Sequence, residues 1–160
     1  MATYTLEEKD GFIVVGIGTE LQSEYNDYAG MNQEKENFWR TVEQDGRLDA
    51  LKAVAANGYV FAVNELVNRT RRMYYAGVMT DASVPEEHSV IQFPKGQYLV
   101  IQGEGKTADE LSGTLTGIAF GQVLPAADTF AYVGGPNATV EMGQRDGVVY
   151  GEMWIPVVKK

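Results

Sequence analysis

Twice along this chain a β-branched apolar run is followed by residues spaced as on a helix face and then by two further strand-like runs. That order limits the possible folds more tightly than any figure of composition. The first run, residues 12–17 in GFIVVGIG, is bounded by Gly11 and Gly18 and predicts a buried strand. Over residues 30–45, Met31, Phe38, Trp39 and Val42 recur among Glu, Gln and Lys as one face of a helix, with Gly46 as its stop. Leu48, Leu51 and Val54 predict a second short helix before Asn57-Gly58, and YVFAVNEL and RRMYYAGVM then form a hairpin around residues 67–70. Residues 81–96 break the pattern and read as an irregular connection ending in the turn signal Phe93-Pro94-Lys95-Gly96. After it the order repeats. QYLVIQ is a strand, and Thr107 with Glu110 is a capping box opening a helix with Leu111, Leu115 and Ile118 on its apolar face, ended at Leu124-Pro125. Strands at 139–142 and 148–157 then flank the turn Arg145-Asp146-Gly147.

These observations predict one α+β domain over residues 1–160, built from a duplicated strand-helix-strand-strand unit with pseudo-repeat halves at about 1–80 and 90–160. An antiparallel sheet would carry helices on one face and a ligand groove between the halves. The halves are not visibly alike in sequence, so the repeat is one of architecture. With 160 residues the chain buries roughly 70% of its unfolded surface, enough for a core without staples. No cysteine is present, which removes disulfides, thiolate metal sites and cysteine nucleophiles together. The start MATYTLEEKD lacks a basic segment followed by an apolar run, and nowhere do 18 apolar residues follow one another, so a soluble, cytoplasmic protein is expected. Acidic side chains outnumber basic ones 22 to 13, and the net charge of −9 repels a polyanion and favours cations, so direct nucleic-acid binding is not expected. Arg69, Arg71 and Arg72 form the one basic cluster and read as a solvated turn.

The last strand, VVYGEMWIPV, carries the most chemical information. Alternation sends Val149, Met153, Ile155 and Val157 to one face and Tyr150, Glu152 and Trp154 to the other, so a carboxylate stands between two large aromatic rings. Such a face suits flat cations: the rings offer stacking and cation–π attraction, the carboxylate a counter-charge. The alternative is a solvent-exposed Glu152 between interfacial aromatics. Tyr59, Phe61 and Val63 share one strand face, and the neighbours Tyr74 and Tyr75 must point to opposite faces, so one of them joins the aromatic surface. Glu141 is a second carboxylate in an apolar run, between Val140 and Met142, and burying it without a partner would be costly. Trp39, beside Phe38, fits either a helix core or the groove. Other motifs fail. GEGKT lacks the glycine spacing of a phosphate loop, and His88 is the only histidine and reads as solvated, so neither a catalytic triad nor a histidine metal site can be assembled. Two glycosylation patterns, at Asn68 and Asn137, carry no weight without a secretion signal.

Taken in order, VVGIGTEL, ENFWRTV, MYYAGVMT, FPKGQYLVIQGEG, QVLP, ATVEMG and GEMWIPV resemble the GyrI-like small-molecule-binding domain, the effector-binding domain of multidrug-sensing AraC/MerR-type transcription regulators, over nearly the whole chain. The resemblance implies a pocket between the halves for aromatic, cationic or amphipathic molecules, with Glu141 and Glu152 at acidic positions and Tyr75, Trp154 and Trp39 at aromatic ones. With Tyr59, Phe61 and Tyr150 these residues make up the expected ligand set. No helix-turn-helix precedes the first strand, so a stand-alone form is expected, linked to DNA only through a protein partner. No cofactor, metal or membrane is implied. Two other activities occur among relatives of this kind: hydrolysis of cyclopropane-bearing DNA-alkylating natural products, for which Glu141 or Glu152 would be the general base, and inhibition of gyrase through a protein contact. The residues themselves favour the binder, because the pocket chemistry follows from their types and spacing.

Overall fold

Residues 4–20 and 89–105 pair with one another and tie the two edges of the sheet together. In the computed structural model, which describes residues 4–24, 26–68, 70–80 and 88–160, β1 (Tyr4–Lys9) pairs antiparallel with β6 (Gly96–Gly105), and β2 (Phe12–Glu20) with β5 (Ser89–Phe93). The register runs on without slip from Lys9↔Gly96 to Phe12↔Phe93. One long ribbon therefore serves both ends of the sheet. From β2 the sheet continues through β4 (Arg71–Val78) and β3 (Val60–Val67), crosses to β8 (Asn137–Arg145) and returns through β9 (Val148–Lys159) to β6, giving the order β1-β6-β9-β8-β3-β4-β2-β5. A short β7 (Phe130–Tyr132) pairs with the end of β9. Every pairing is antiparallel, and the shared ribbon obliges the sheet to curl.

The helices form where the apolar spacing expects them. The first, α1 (Tyr28–Gln44), is capped by Asp27, whose side chain accepts from the Gly30 N–H at 2.9 Å. It stops at Gly46, whose φ of 81° is open to glycine, and α2 (Arg47–Ala53) follows. On the other half α3 (Ala108–Ile118) is capped by Thr107, which accepts from the Glu110 N–H at 3.1 Å, while Glu110 reaches back to the Lys106 N–H at 3.3 Å. The helix runs on through a wide π-type turn over Ala119–Val123 into α4 (Leu124–Ala126), where Pro125 cannot donate an intrahelical bond. A Cβ at Gly105 would lie 2.7 Å from the Leu111 nitrogen, so only glycine lets α3 close onto β6.

Strand alternation divides the core into three parts. Val15, Ile17, Val60, Ala76 and Val78 pack under α1 and α2 with Val42, Leu48 and Leu51. Leu99, Ile101, Met153 and Ile155 pack under α3 with Leu111 and Leu115. The third cluster lies on the helix-free face and draws on both halves: Val14, Phe61, Val63, Tyr75, Phe93, Tyr98, Val140 and Trp154. The result is the α+β arrangement expected, with helices on one face of an antiparallel sheet. Among the described residues no helix is long and apolar enough to cross a membrane.

Three strands were not expected. β1 is exposed along nearly its whole length and so shows no apolar alternation, β7 has only three residues, and β5 lies inside the segment 81–96 read as irregular. That reading is corrected: residues 89–93 form a strand because Ile91 and Phe93 bury against β2, while 81–87 lie outside the described residues. His88 is half-buried rather than solvated, its Nδ1 shielded and without a hydrogen-bond partner among the described residues. Of the basic cluster, Arg69 lies outside the described residues. Arg71 pairs with Glu20 at 3.4 Å, and Arg72 is half-buried, donating to the Ser23 carbonyl and to the Met31 sulfur.

Candidate functional site

The two central strands, β3 and β8, meet where the halves join, and on the helix-bearing face they form the floor of a groove between α1 and α3. Three cross-strand pairs make that floor: Asn64 opposite Asn137, Ala62 opposite Thr139, and Val60 opposite Glu141. Small side chains in the middle leave the space open, and polar groups stand at both ends. On one wall α1 presents Met31, Lys35 and Trp39, four residues apart and therefore on one helix face. On the other α3 presents Ala108, Asp109 and Ser112, and the Ser112 hydroxyl meets that of Thr139 at 3.2 Å. Between Trp39, Tyr74 and Glu141 the groove narrows to a cavity of about 20 Å³, while on either side it widens to recesses of about 550 and 490 Å³. The narrow part holds no aromatic molecule as it stands, whereas each recess is within the size range of small-molecule sites.

Trp39 and Tyr74 are joined. The indole N–H donates to the Tyr74 hydroxyl at 2.6 Å, and Phe38 meets the Tyr74 ring edge-on at 5.9 Å between centroids. Burial holds the Tyr74 phenol protonated far above its ordinary range; the nearby Asp109 carboxylate adds to this, and the Trp39 bond works against it. Tyr74, the member of the Tyr74-Tyr75 pair that sequence left undecided, is thus the one that faces the groove. The signal that could have found it was its strand phase: Val60, Ala62 and Asn64 share its side of the sheet.

Glu141 owes its state to its neighbours in the sheet. Its partner on β3 is Val60 and its partner on β9 is Gly151, so neither adjoining strand offers it a polar side chain. Immediately after it the β8–β9 register shifts by one residue, a bulge of the kind that re-aims side chains at the end of a ladder. The carboxyl is half-buried and has no ion pair among the described residues. Burial raises its pKa above the ordinary 4.5; the positive charge of Lys52 opposes the shift and Glu43 adds to it.

The other residues of the expected ligand set lie on the opposite face. Tyr59, Phe61, Tyr75 and Trp154 pack in or against the helix-free cluster, where Trp154 stands edge-on to Phe12 at 5.7 Å and to Phe61 at 5.5 Å, with the Lys9 ammonium 4.0 Å from its ring. The polar atoms of Trp154 and Tyr75 are already engaged. Trp154 Nε1 donates to Glu152 at 2.8 Å, Gln102 donates to the same carboxylate at 3.2 Å, and the Tyr75 hydroxyl donates to Glu65 at 3.2 Å. Tyr150 and Glu152 border a separate recess of about 420 Å³ with Gln102, Glu104 and Met142. The eight residues therefore fall into two groups separated by the sheet: Trp39 and Glu141 in the groove, the remaining six on the helix-free face.

Comparison with known proteins identifies the fold and the family. The structure of SAV2435 bound to tetraphenylphosphonium superposes with a TM-score of 0.78 at 17% identity, covering 98% of this chain and 94% of that one. An integron cassette protein from the mobile metagenome of Vibrio cholerae gives 0.65 at 13%, covering 97% and 95%, and the C-terminal domain of EcmrR gives 0.63 at 11%, covering 100% and 99%. At such identities the likeness is one of fold, and it bears out the GyrI-like architecture. No curated protein matches the sequence. The family model of the integron-associated effector-binding proteins, Cass2, matches residues 5–157. Its span takes in all the helices and all but the outermost residues of the curled sheet, and the chain belongs to that family.

Proposed function

We propose that the groove between α1 and α3 reversibly binds aromatic cations, with Trp39 and Tyr74 as the aromatic wall and Glu141 as the counter-charge, in the service of effector sensing or sequestration. The observation that carries this reading is the setting of Glu141: a half-buried carboxylate between Val60 and Gly151, without an ion pair among the described residues, on the floor beneath two aromatic side chains. A carboxylate so placed is costly to ionise in the empty protein, and a cation held against it removes that cost. The net charge of −9 draws cations to the protein as a whole. Tetraphenylphosphonium, held by SAV2435 on a similar fold, is a lipophilic aromatic cation of the kind this chemistry suits.

On this reading the helix-free aromatics, Tyr59, Phe61, Tyr75 and Trp154, are core, and Glu152 and Tyr150 stand at its margin. Calorimetric titration with tetraphenylphosphonium and with neutral triphenylphosphine oxide tests it, comparing the protein with Glu141→Gln. Loss of the charge is expected to weaken the phosphonium roughly tenfold or more, the scale of a charge-assisted contact in a partly buried site, and to leave the oxide within about twofold. Equal weakening of both ligands, or none, would remove Glu141 from the role.

A further inference from the structure

Lys35 stands at a point of the groove where a cationic ligand would be expected. It lies on the same face of α1 as Trp39, one turn earlier, and its Nζ is 4.8 Å from the centroid of the Tyr74 ring. Lysine heads ordinarily reach for water. This one is half-buried, borders the recesses on the α1 side of the groove, and has no carboxylate within ion-pairing distance among the described residues, although Glu36, Asp109 and Glu110 border the same recess. The ring face is therefore its specific electrostatic partner, and burial lowers its pKa, as it does for an ammonium held out of water without a counter-ion.

Resting on the proposed function of the groove, we propose that Lys35 is a tethered occupant of the cation site: in the empty protein its ammonium holds the face of Tyr74, and a cationic ligand must displace it. The four-carbon stem is flexible, so the head can swing to solvent as a ligand enters. Displacement sets a threshold. A small hydrophilic ammonium ion gains at the ring little more than Lys35 loses and is turned away. A bulky aromatic cation adds stacking on Trp39 and buried apolar area, and passes. Lys35 is thus a specificity-determining residue, selecting cations with large aromatic surfaces.

The test is calorimetric titration of tetraphenylphosphonium and of triphenylphosphine oxide into the protein, Lys35→Met, which keeps an apolar stem, and Lys95→Met, which makes the same change of net charge at an exposed turn far along the chain. Lys35→Met is expected to bind the phosphonium roughly tenfold more tightly, the scale of one desolvated cation–π contact, and the oxide within about twofold of the unaltered protein. Lys95→Met should match the unaltered protein for both. Unchanged or weaker phosphonium binding by Lys35→Met overturns the proposal while leaving the groove reading in place. An equal gain for both ligands overturns it too, because the side chain would then merely fill space, and an equal gain in Lys95→Met would reduce the effect to net charge. If neither the unaltered protein nor Lys35→Met binds either compound, the groove reading itself fails, and the proposal with it.

Discussion

The Trp39 indole donates to the Tyr74 hydroxyl across 2.6 Å, and this bond joins the α1 wall of the groove to β4 beneath it. Because Tyr74 is buried and Trp39 only partly so, the bond is shielded at one end and reachable at the other. Turning Trp39 to widen the 20 Å³ constriction beside it would give up a bond worth about 1 kcal/mol net and gain whatever a ligand offers in its place. On the proposed reading the latch and the ligand surface are the same two side chains.

Replacing Tyr74 by Phe keeps the ring and removes the acceptor. The Trp39 N–H then lacks its partner, and the expected loss of stability is about 1 kcal/mol, read as a lower midpoint in urea with an unchanged slope. Since the constriction no longer has a bond to break, tetraphenylphosphonium should bind no more weakly than to the unaltered protein. A marked loss of affinity would show instead that the hydroxyl itself contacts the ligand.

On the proposed reading Glu141 makes opposite contributions to the free and the ligated protein. Burial raises its folded pKa above 4.5, so the contribution to stability is fully present below the unfolded value and is lost as pH rises through the folded one. Glu141→Gln should therefore match the protein in melting temperature at acid pH and exceed it at pH 7, on the scale of roughly 2–4 °C per kcal/mol for a chain of this size. Binding of a cation runs the other way, strengthening over the same window as the carboxylate ionises. Melting curves and phosphonium titrations at a series of pH values check both signs. A binding curve flat across this window would separate Glu141 from the ligand.

At alkaline pH the phenols of Tyr75 and Tyr98 contribute alongside those of Tyr74 and Tyr132, which burial also raises. Burial pushes Tyr75 and Tyr98 up to about 12, with Glu65 adding to the shift of Tyr75. Their stabilising contribution is present below the ordinary value near 10 and is lost as pH rises toward 12. Tyr98 also donates to the Pro94 carbonyl at 2.6 Å, fixing the bend in the shared ribbon. Tyr98→Phe should cost about 1 kcal/mol at neutral pH and flatten the alkaline fall in stability. Tyrosinate absorbance with unfolding followed in parallel reads the result, and an unaltered alkaline profile would refute the assignment.

The elements that were legible in the sequence are those with a buried face. The runs at Phe12, Val60, Arg71, Gly96, Asn137 and Val148 alternate or carry β-branched residues because one side packs under a helix, and the Thr107 cap and the turn at Gly147 are set by local chemistry alone. β1 escaped notice because the ribbon that ties the edges together is exposed there, and exposure erases alternation. The candidate site was legible by residue type but not by side. Glu141 and Glu152 lie on neighbouring strands one step of register apart: Glu152 is opposite Val140 and Glu141 opposite Gly151, so the two carboxylates point to opposite faces, and only the pairing of the strands reveals which is which. Lys35 gave no signal at all, since a lysine among the polar residues of an amphipathic helix reads as solvated until the ring of Tyr74, 39 residues on, is seen beneath it.

The location of the site, between the helices and not on the helix-free face, is the central claim, and the chain's two tryptophans report on it directly, because Trp39 borders the groove and Trp154 lies across the sheet. Tryptophan fluorescence quenching by tetraphenylphosphonium should persist in Trp154→Phe, where Trp39 is the one remaining tryptophan, and vanish in Trp39→Phe, where Trp154 remains. The reverse pattern, quenching kept by Trp39→Phe and lost by Trp154→Phe, would contradict the account and move the ligand to the face of Tyr75, Glu152 and Trp154.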